Sequence, residues 1–395
     1  MSRRTLLLLF GCALALMVAA FVVRPPPPIA AVQELALVGD HAPGFRAKLE
    51  GVDERTFAVA LPVRILGRVL KTQEKNRVIH QWPAFQVEAR FRGDSVVMRL
   101  DDAVNRLRVT LDAGAAGTVE IARVGRKQLT ISGLGAGEHS IRAEKMSESP
   151  EPAVFGGFYV RQEDEILQAP PPPRRLIEFI GDSDTVGLGD LSTRRDCSIE
   201  EFFALTDTTR SFPARVAAHF EASYRMIARS GIALVRNFEP DKGGDTMLAR
   251  YRRALPTRPN SIPEPEASPD LFVVALGSND FEEPLRPDEP WRDAQALGVS
   301  FEPALTAFLR ERATDNPRAA FVLVAFEEYG PELVGAYRAA ADALAAGGVK
   351  VSLVVLPQVD RRACNWHPSP AAHVAIGLRL IEAIDQMLPE WRIDS

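Results

Sequence analysis

Cysteine is scarce in this chain. Three residues in 395 are too few to frame a disulfide scaffold, and their spacing fits no zinc motif. Positive charge is not in surplus either: 47 Lys and Arg stand against 52 Asp and Glu, a net charge of −5. That disfavours broad electrostatic binding to nucleic acid, which needs a concentrated positive face. Hydrophobic residues make up 46% and charged residues 25%. These are globular proportions, and they exclude wholesale disorder and a multi-span membrane protein. At this length, one large or two medium domains are expected.

One long apolar run is present. Arg3 and Arg4 precede an uncharged stretch from Thr5 to Val23, the pattern of export targeting. The run exceeds a usual signal core and approaches the length that spans a bilayer. Val18-Ala19-Ala20 supplies small residues for cleavage. A cleaved signal and an uncleaved anchor both fit, and membrane contact is expected only through this segment. Either way residues 1–31 form a targeting segment with a proline-rich linker. The rest is then expected in the periplasm or outside the cell, where disulfides form.

Residues 32–168 read as a β-sandwich, jelly-roll-like. Short β-rich runs recur at 57–64, 85–91, 95–100, 107–111, 118–123, 127–132 and 138–142, separated by turn signals such as Arg92-Gly93-Asp94. Pro170 to Pro173 then form an extended connector. From 174 to 395 the pattern alternates. Apolar runs at 176–180, 271–276, 321–326 and 349–356 read as strands buried on both faces of a parallel sheet. Helices lie between them. One opens at Pro331 and closes at Gly347-Gly348; another opens at Ser369-Pro370 and runs to about Leu388. This is an α/β domain, a parallel sheet flanked by helices, with its site expected at the carboxyl ends of the strands.

Four strand-end or loop positions carry chemistry. The first run ends in Gly181-Asp182-Ser183, a turn that exposes a hydroxyl as a nucleophile. The second ends in Gly277-Ser278-Asn279-Asp280, where the Asn279 amide can donate to an oxyanion. Between them Gly231 allows its backbone N–H to approach a ligand closely. Near the C-terminus His367 sits in a loop before a capped helix, a candidate general base. His367 and His373 lack a metal-ligand spacing with a third ligand nearby, so neither a metal nor a cofactor is expected.

Taken together, the order and spacing of these elements resemble the SGNH (GDSL-type) hydrolases, over about residues 176–389. Tyr224–Asn237, Ala275–Phe281 and Cys364–Ser369 look more closely like carbohydrate esterase family 2, which also carries a β-sandwich before its SGNH domain. The resemblance implies an exported carbohydrate O-acetyl esterase acting on polysaccharides or oligosaccharides such as acetylated xylan or glucomannan. It implies Ser183 as nucleophile and His367 as base, with the N–H groups of Ser183 and Gly231 and the Asn279 amide as oxyanion hole. Trp366, Asp182 and Asp280 are expected to contact substrate. Cys197 and Cys364 both fall in loops near the catalytic centre, and the resemblance supports a disulfide between them, testable as a Cα separation of about 4.4–6.8 Å.

Two departures bear on mechanism. Most SGNH enzymes place an Asp three residues before the His; here Cys364 stands there. The family-2 esterases are similar in often holding the His by a backbone carbonyl or another group. Asp184 follows the nucleophile, where Leu or Ile is usual, and its charge disfavours an oxyanion unless it points away or orients a partner. An envelope glycan O-acetyltransferase and a non-catalytic glycan-binding protein are the alternative expectations.

Overall fold

The computed structural model describes residues 31–392 except 75, 239–243 and 265. The apolar run at 5–23, and with it the targeting segment, lies outside the described residues. Among the described residues no helix is long and apolar enough to cross a membrane.

The N-terminal half is two antiparallel seven-stranded sheets packed face to face. Alternation builds the core between them. In Gln86–Arg92, Val87, Ala89 and Phe91 point inward, while Glu88, Arg90 and Arg92 face out. Val96, Met98, Leu129, Ile131 and Phe158 close the core from the second sheet. The strand Ser95–Asp102 pairs with Gly125–Ser132 on one side and Ala153–Val160 on the other, with a register shift between Phe155 and Gly157. More strands form than the pattern predicts. Leu35–Val38, Arg46–Glu50, Val69–Lys71, Val78–His80, Ala153–Val160 and Glu165–Ile166 add to the runs read from sequence. The run at 57–64 divides into Val59–Ala60 and Arg64–Leu66, which pair with different sheets. Pro62 between them lacks the N–H that a continuous ladder needs.

The C-terminal half is a five-stranded parallel sheet. Its strands are β1 (Leu176–Gly181), β2 (Ser223–Ala228), β3 (Leu271–Ala275), β4 (Ala320–Phe326) and β5 (Val351–Leu356), in the order β2-β1-β3-β4-β5. Every residue of β3 and β4 is buried. On one face Phe179, Val273 and Val322 pack under the helices Phe212–His219 and Pro370–Met387. On the other, Phe272, Val274 and Leu323 pack under Ala294–Asp315 and Pro331–Ala346. Order reverses at β1, and in open α/β sheets a ligand crevice forms at such a reversal, beyond the strand carboxyl ends.

The halves are not hinged; the described chain packs as one compact unit. The edge strand β2 is buried along its whole length, because the sandwich's first sheet lies beside it. Outward-facing charges of that sheet reach the other half: Arg106 donates to the Ala204 carbonyl at 2.7 Å and Arg108 pairs with Asp207 at 2.7 Å. Trp82, from the sandwich, is fully buried among the residues of the second core and donates to the Arg253 carbonyl at 3.0 Å. Beneath lies an ionic cluster. Glu178 of β1 is wholly buried, ion-paired to Arg225 and to the sandwich residue Arg68, and accepts from the Tyr251 hydroxyl at 2.5 Å. Burial alone would raise the Glu178 carboxyl; Arg225 and Arg68 hold it below its ordinary range. Removing one partner of a buried pair strands the other charge. Glu178→Ala is therefore expected to cost about 3–5 kcal/mol, read as a lowered urea midpoint of the whole chain.

Candidate active site

A cavity of about 520 Å³ opens at the carboxyl end of the sheet. Ser183, Gly231, Asn279 and the adjacent Trp366 and His367, from four separate segments of the chain, all line it. Each is placed by local chemistry. After β1 the chain makes one helical turn, Ser183–Val186, capped by the Asp182 carboxylate, which accepts the Asp184 N–H at 3.0 Å. Ser183 is the first residue of that turn, so its own N–H has no intrahelical partner. Gly231 sits at φ +75 with open space where a Cβ would stand, a conformation that side chains rarely adopt. The Asn279 amide donates one hydrogen to the Ile232 carbonyl at 2.8 Å. That ties the Asn279 turn to the Gly231 loop and leaves the second amide hydrogen.

His367 is oriented by the backbone. Its Nδ1 lies 2.8 Å from the Cys364 carbonyl oxygen. A carbonyl only accepts, so Nδ1 carries the proton and the lone pair of the neutral ring is on Nε2. The carbonyl is held in turn. Cys364 is fully buried and bonded to Cys197, with the Cα atoms 5.4 Å apart. Asn365 N–H donates to the Arg195 carbonyl at 2.7 Å, and the Arg195 guanidinium lies 3.4 Å from the Trp366 ring centroid. Gly189 keeps this join tight: a Cβ there would stand 2.6 Å from Cys364 Cβ.

Asp184 is paired. Arg361 grips it with two hydrogen bonds, 2.7 and 3.1 Å, and is itself held by Glu328. Burial by itself raises the Asp184 carboxyl, but Arg361, with smaller help from His367 and His373, outweighs it and holds the group below the ordinary carboxylate range. Its charge therefore anchors the loop that carries His367. His373 is buried and structural, accepting the Phe212 N–H at 3.3 Å, and burial lowers its pKa to about 4.

Two expected substrate contacts are corrected. Asp182 and Asp280 do not line the cavity. Both are buried and spent on the fold. Asp182 bridges the Asp184 N–H to the Ser278 hydroxyl, joining two site turns. Burial, then the neighbouring Asp184, raises its pKa. Asp280 accepts the N–H groups of Leu234, Val235 and Arg236 at 2.9–3.0 Å, and burial raises its pKa to about 6. Trp366 does line the cavity and is 55% exposed. Asp360 is occupied by Arg362 and Ser369 and does not reach His367. Among the described residues no group of three His, Cys, Asp or Glu could hold a metal.

One contributor comes from the sandwich. Glu148 accepts the Ser230 N–H at 2.9 Å, immediately before Gly231. Beside it the Ser149 carbonyl accepts from Arg229 at 3.3 Å. No motif marks Glu148; only tertiary packing brings it there.

Comparison with known proteins identifies the family. The family description "Carbohydrate esterase 2 N-terminal" matches residues 65–170. An acetylxylan esterase / glucomannan deacetylase of Cellvibrio japonicus is 31% identical over 336 residues, covering 84% of this chain and 92% of that protein. The chain belongs to carbohydrate esterase family 2. A solved carbohydrate esterase, whose active site is described as having divergent catalytic and non-catalytic binding functions, superposes with a TM-score of 0.77 at 30% identity. It covers 84% of this esterase and 99% of its own chain. A family-two esterase from Clostridium thermocellum, solved with cellohexaose, gives a TM-score of 0.70 at 25% identity over 83% of this chain and 99% of that one.

Two outcomes follow for this esterase. Glu148→Ala is expected to lower kcat roughly tenfold with little change in KM, because it releases the loop that carries Gly231 into the cavity. Glu148→Gln, which keeps an acceptor oxygen, should restore most of it. Asp184 has a depressed folded-state pKa, so its stabilisation is present above the unfolded value of about 3.9 and is lost as pH falls through the folded value. The stability gap between wild type and Arg361→Met is therefore widest near neutrality and narrows below about pH 4, checked by thermal melts across pH.

Proposed function

We propose that this family-2 esterase is an exported carbohydrate O-acetyl esterase working through a Ser183–His367 acyl-enzyme. The observation that carries the reading is the His367 hydrogen bond to the Cys364 carbonyl, which leaves Nε2 as the free base in the cavity that Ser183 also lines. Ser183 Oγ attacks the acetyl carbonyl while His367 Nε2 takes its proton. The developing oxyanion is met by the N–H groups of Ser183 and Gly231 and by the spare Asn279 hydrogen, each donor worth roughly 3 kcal/mol of barrier. The imidazolium then protonates the departing sugar oxygen, and the acetyl group stays on Ser183. Water, deprotonated by His367, attacks the acetyl-enzyme and releases acetate. Cys364 offers a neutral carbonyl where a carboxylate is usual, so the imidazolium is steadied by a dipole, with the Asp184–Arg361 pair close by.

Trp366, exposed at the rim and backed by Arg195, offers a flat apolar face for a sugar ring. The names of the relatives support acetylated xylan or glucomannan as the substrate class. The basic and apolar residues 3–23 support export.

Acetate release from acetylated xylan and from an aryl acetate tests the reading. Ser183→Ala is expected to lose essentially all of it, and Asn279→Ala to lose about 10²–10³ in kcat. A Ser183→Ala protein that still releases acetate refutes the nucleophile. An acetylated sugar acceptor appearing in place of free acetate replaces the esterase with a transferase.

A further inference from the structure

The turn that carries His367 is bent against its own sequence. The Cys364 carbonyl accepts twice from that one residue, from Nδ1–H at 2.8 Å and from the backbone N–H at 3.1 Å. A carbonyl oxygen has two lone pairs, so this one is fully committed. To close the turn, both intervening residues enter the left-handed region: Asn365 at φ +48 and Trp366 at φ +63. Neither is glycine. Two such residues in succession persist only where their surroundings impose them.

Most of the imposing contacts are ones that water can replace. Asn365 and Trp366 are exposed, and so is Arg195, which accepts the Asn365 N–H, stacks on the Trp366 ring and donates from Nε to the Arg361 carbonyl at 2.9 Å. Arg361 reaches the Trp366 carbonyl at 3.3 Å. The covalent contact is of another kind. Two residues beyond Arg195, Cys197 bonds to Cys364 across 167 residues of chain. It therefore grips the very residue whose carbonyl orients the base. Cys364 is wholly buried and Cys197 half-buried, so Cys197 Sγ is the sulfur that a reductant meets.

We propose that Cys197 is a positioning residue of the reaction: its bond to Cys364 keeps the Cys364 carbonyl on His367 Nδ1, so that turnover depends on the oxidised pair. The inference rests on the Ser183–His367 reading for its catalytic meaning. A dithiol reverses the state. One of its thiolates attacks Cys197 Sγ, the S–S bond breaks, and Cys364 leaves as a thiolate that takes up a proton. The second thiol then displaces Cys197, which is protonated in turn, and the reagent departs as its cyclic disulfide. Two electrons have passed from the dithiol to the protein. Asn365 and Trp366 then relax from the left-handed region, and the imidazole loses its fixed tautomer.

The full chain is prepared with Cys12→Ser, so that Cys197 and Cys364 are its only cysteines. It is assayed on an aryl acetate when oxidised, after dithiothreitol without denaturant, and after reoxidation. Circular dichroism follows the fold, and proton NMR follows the low-field His367 Nδ1–H, assigned by its loss in His367→Gln. Reduction is expected to lower kcat about tenfold with KM within about twofold. The low-field signal should vanish with it, and both should return on reoxidation. Cys197→Ser should match the reduced protein and be indifferent to dithiothreitol. A reduced, folded protein that keeps its kcat overturns the proposal. So does a lowered kcat with the low-field signal unchanged, since the bond then acts other than through His367. Unfolding of both the reduced protein and Cys197→Ser also overturns it, making the bond a staple of the fold. If the oxidised protein hydrolyses no ester, the function proposed above falls, while the Nδ1–H signal still decides whether the bond positions His367.

Discussion

The arrangement depends on one hydrogen bond, from His367 Nδ1 to the carbonyl of Cys364. It fixes the tautomer, and so leaves Nε2 as the ring nitrogen with a free lone pair. A carboxylate in that place would bring its own charge and could reach from a distance. A carbonyl has no reach, so the whole backbone around it must be held. This explains the density of ties on one short loop: the Cys197 disulfide, the Arg195 bonds and stacking, and the Asp184–Arg361–Glu328 chain. What looks in sequence like a lost catalytic acid is exchanged for loop rigidity.

The same logic runs through the buried charges. Asp182 and Asp280 spend their oxygens on N–H groups and a hydroxyl that would otherwise be orphaned in tight turns. Glu178 does the corresponding work where the two halves meet. In each case a carboxylate ties together segments distant in sequence, and its burial is tolerated because every partner is in place.

Local signals carried much of this. The apolar runs that became β1, β3, β4 and β5 are bounded by turn residues, so period and punctuation agree; the last, expected to be buried on both faces, is an edge strand with only Val354 and Leu356 buried. The placement of Ser183 and Asn279 at strand ends was legible because it is itself a local property. The sandwich was less so. Val69–Lys71 and Glu165–Ile166 exist because a neighbour pairs with them, and Ala153–Val160 hides its pattern behind a double glycine at a register shift. Asp182 and Asp280 were misread because a motif names its residues without saying which way they face. Glu148 and Arg361 left no trace in spacing, since their contacts are made across the fold.

The sandwich supplies the backing of the pocket: Glu148 holds one loop of it and Trp82 another. The two halves are thus a single heritable unit. Recombination that grafts this catalytic sheet onto a sandwich from elsewhere brings together a loop and a wall shaped for different partners.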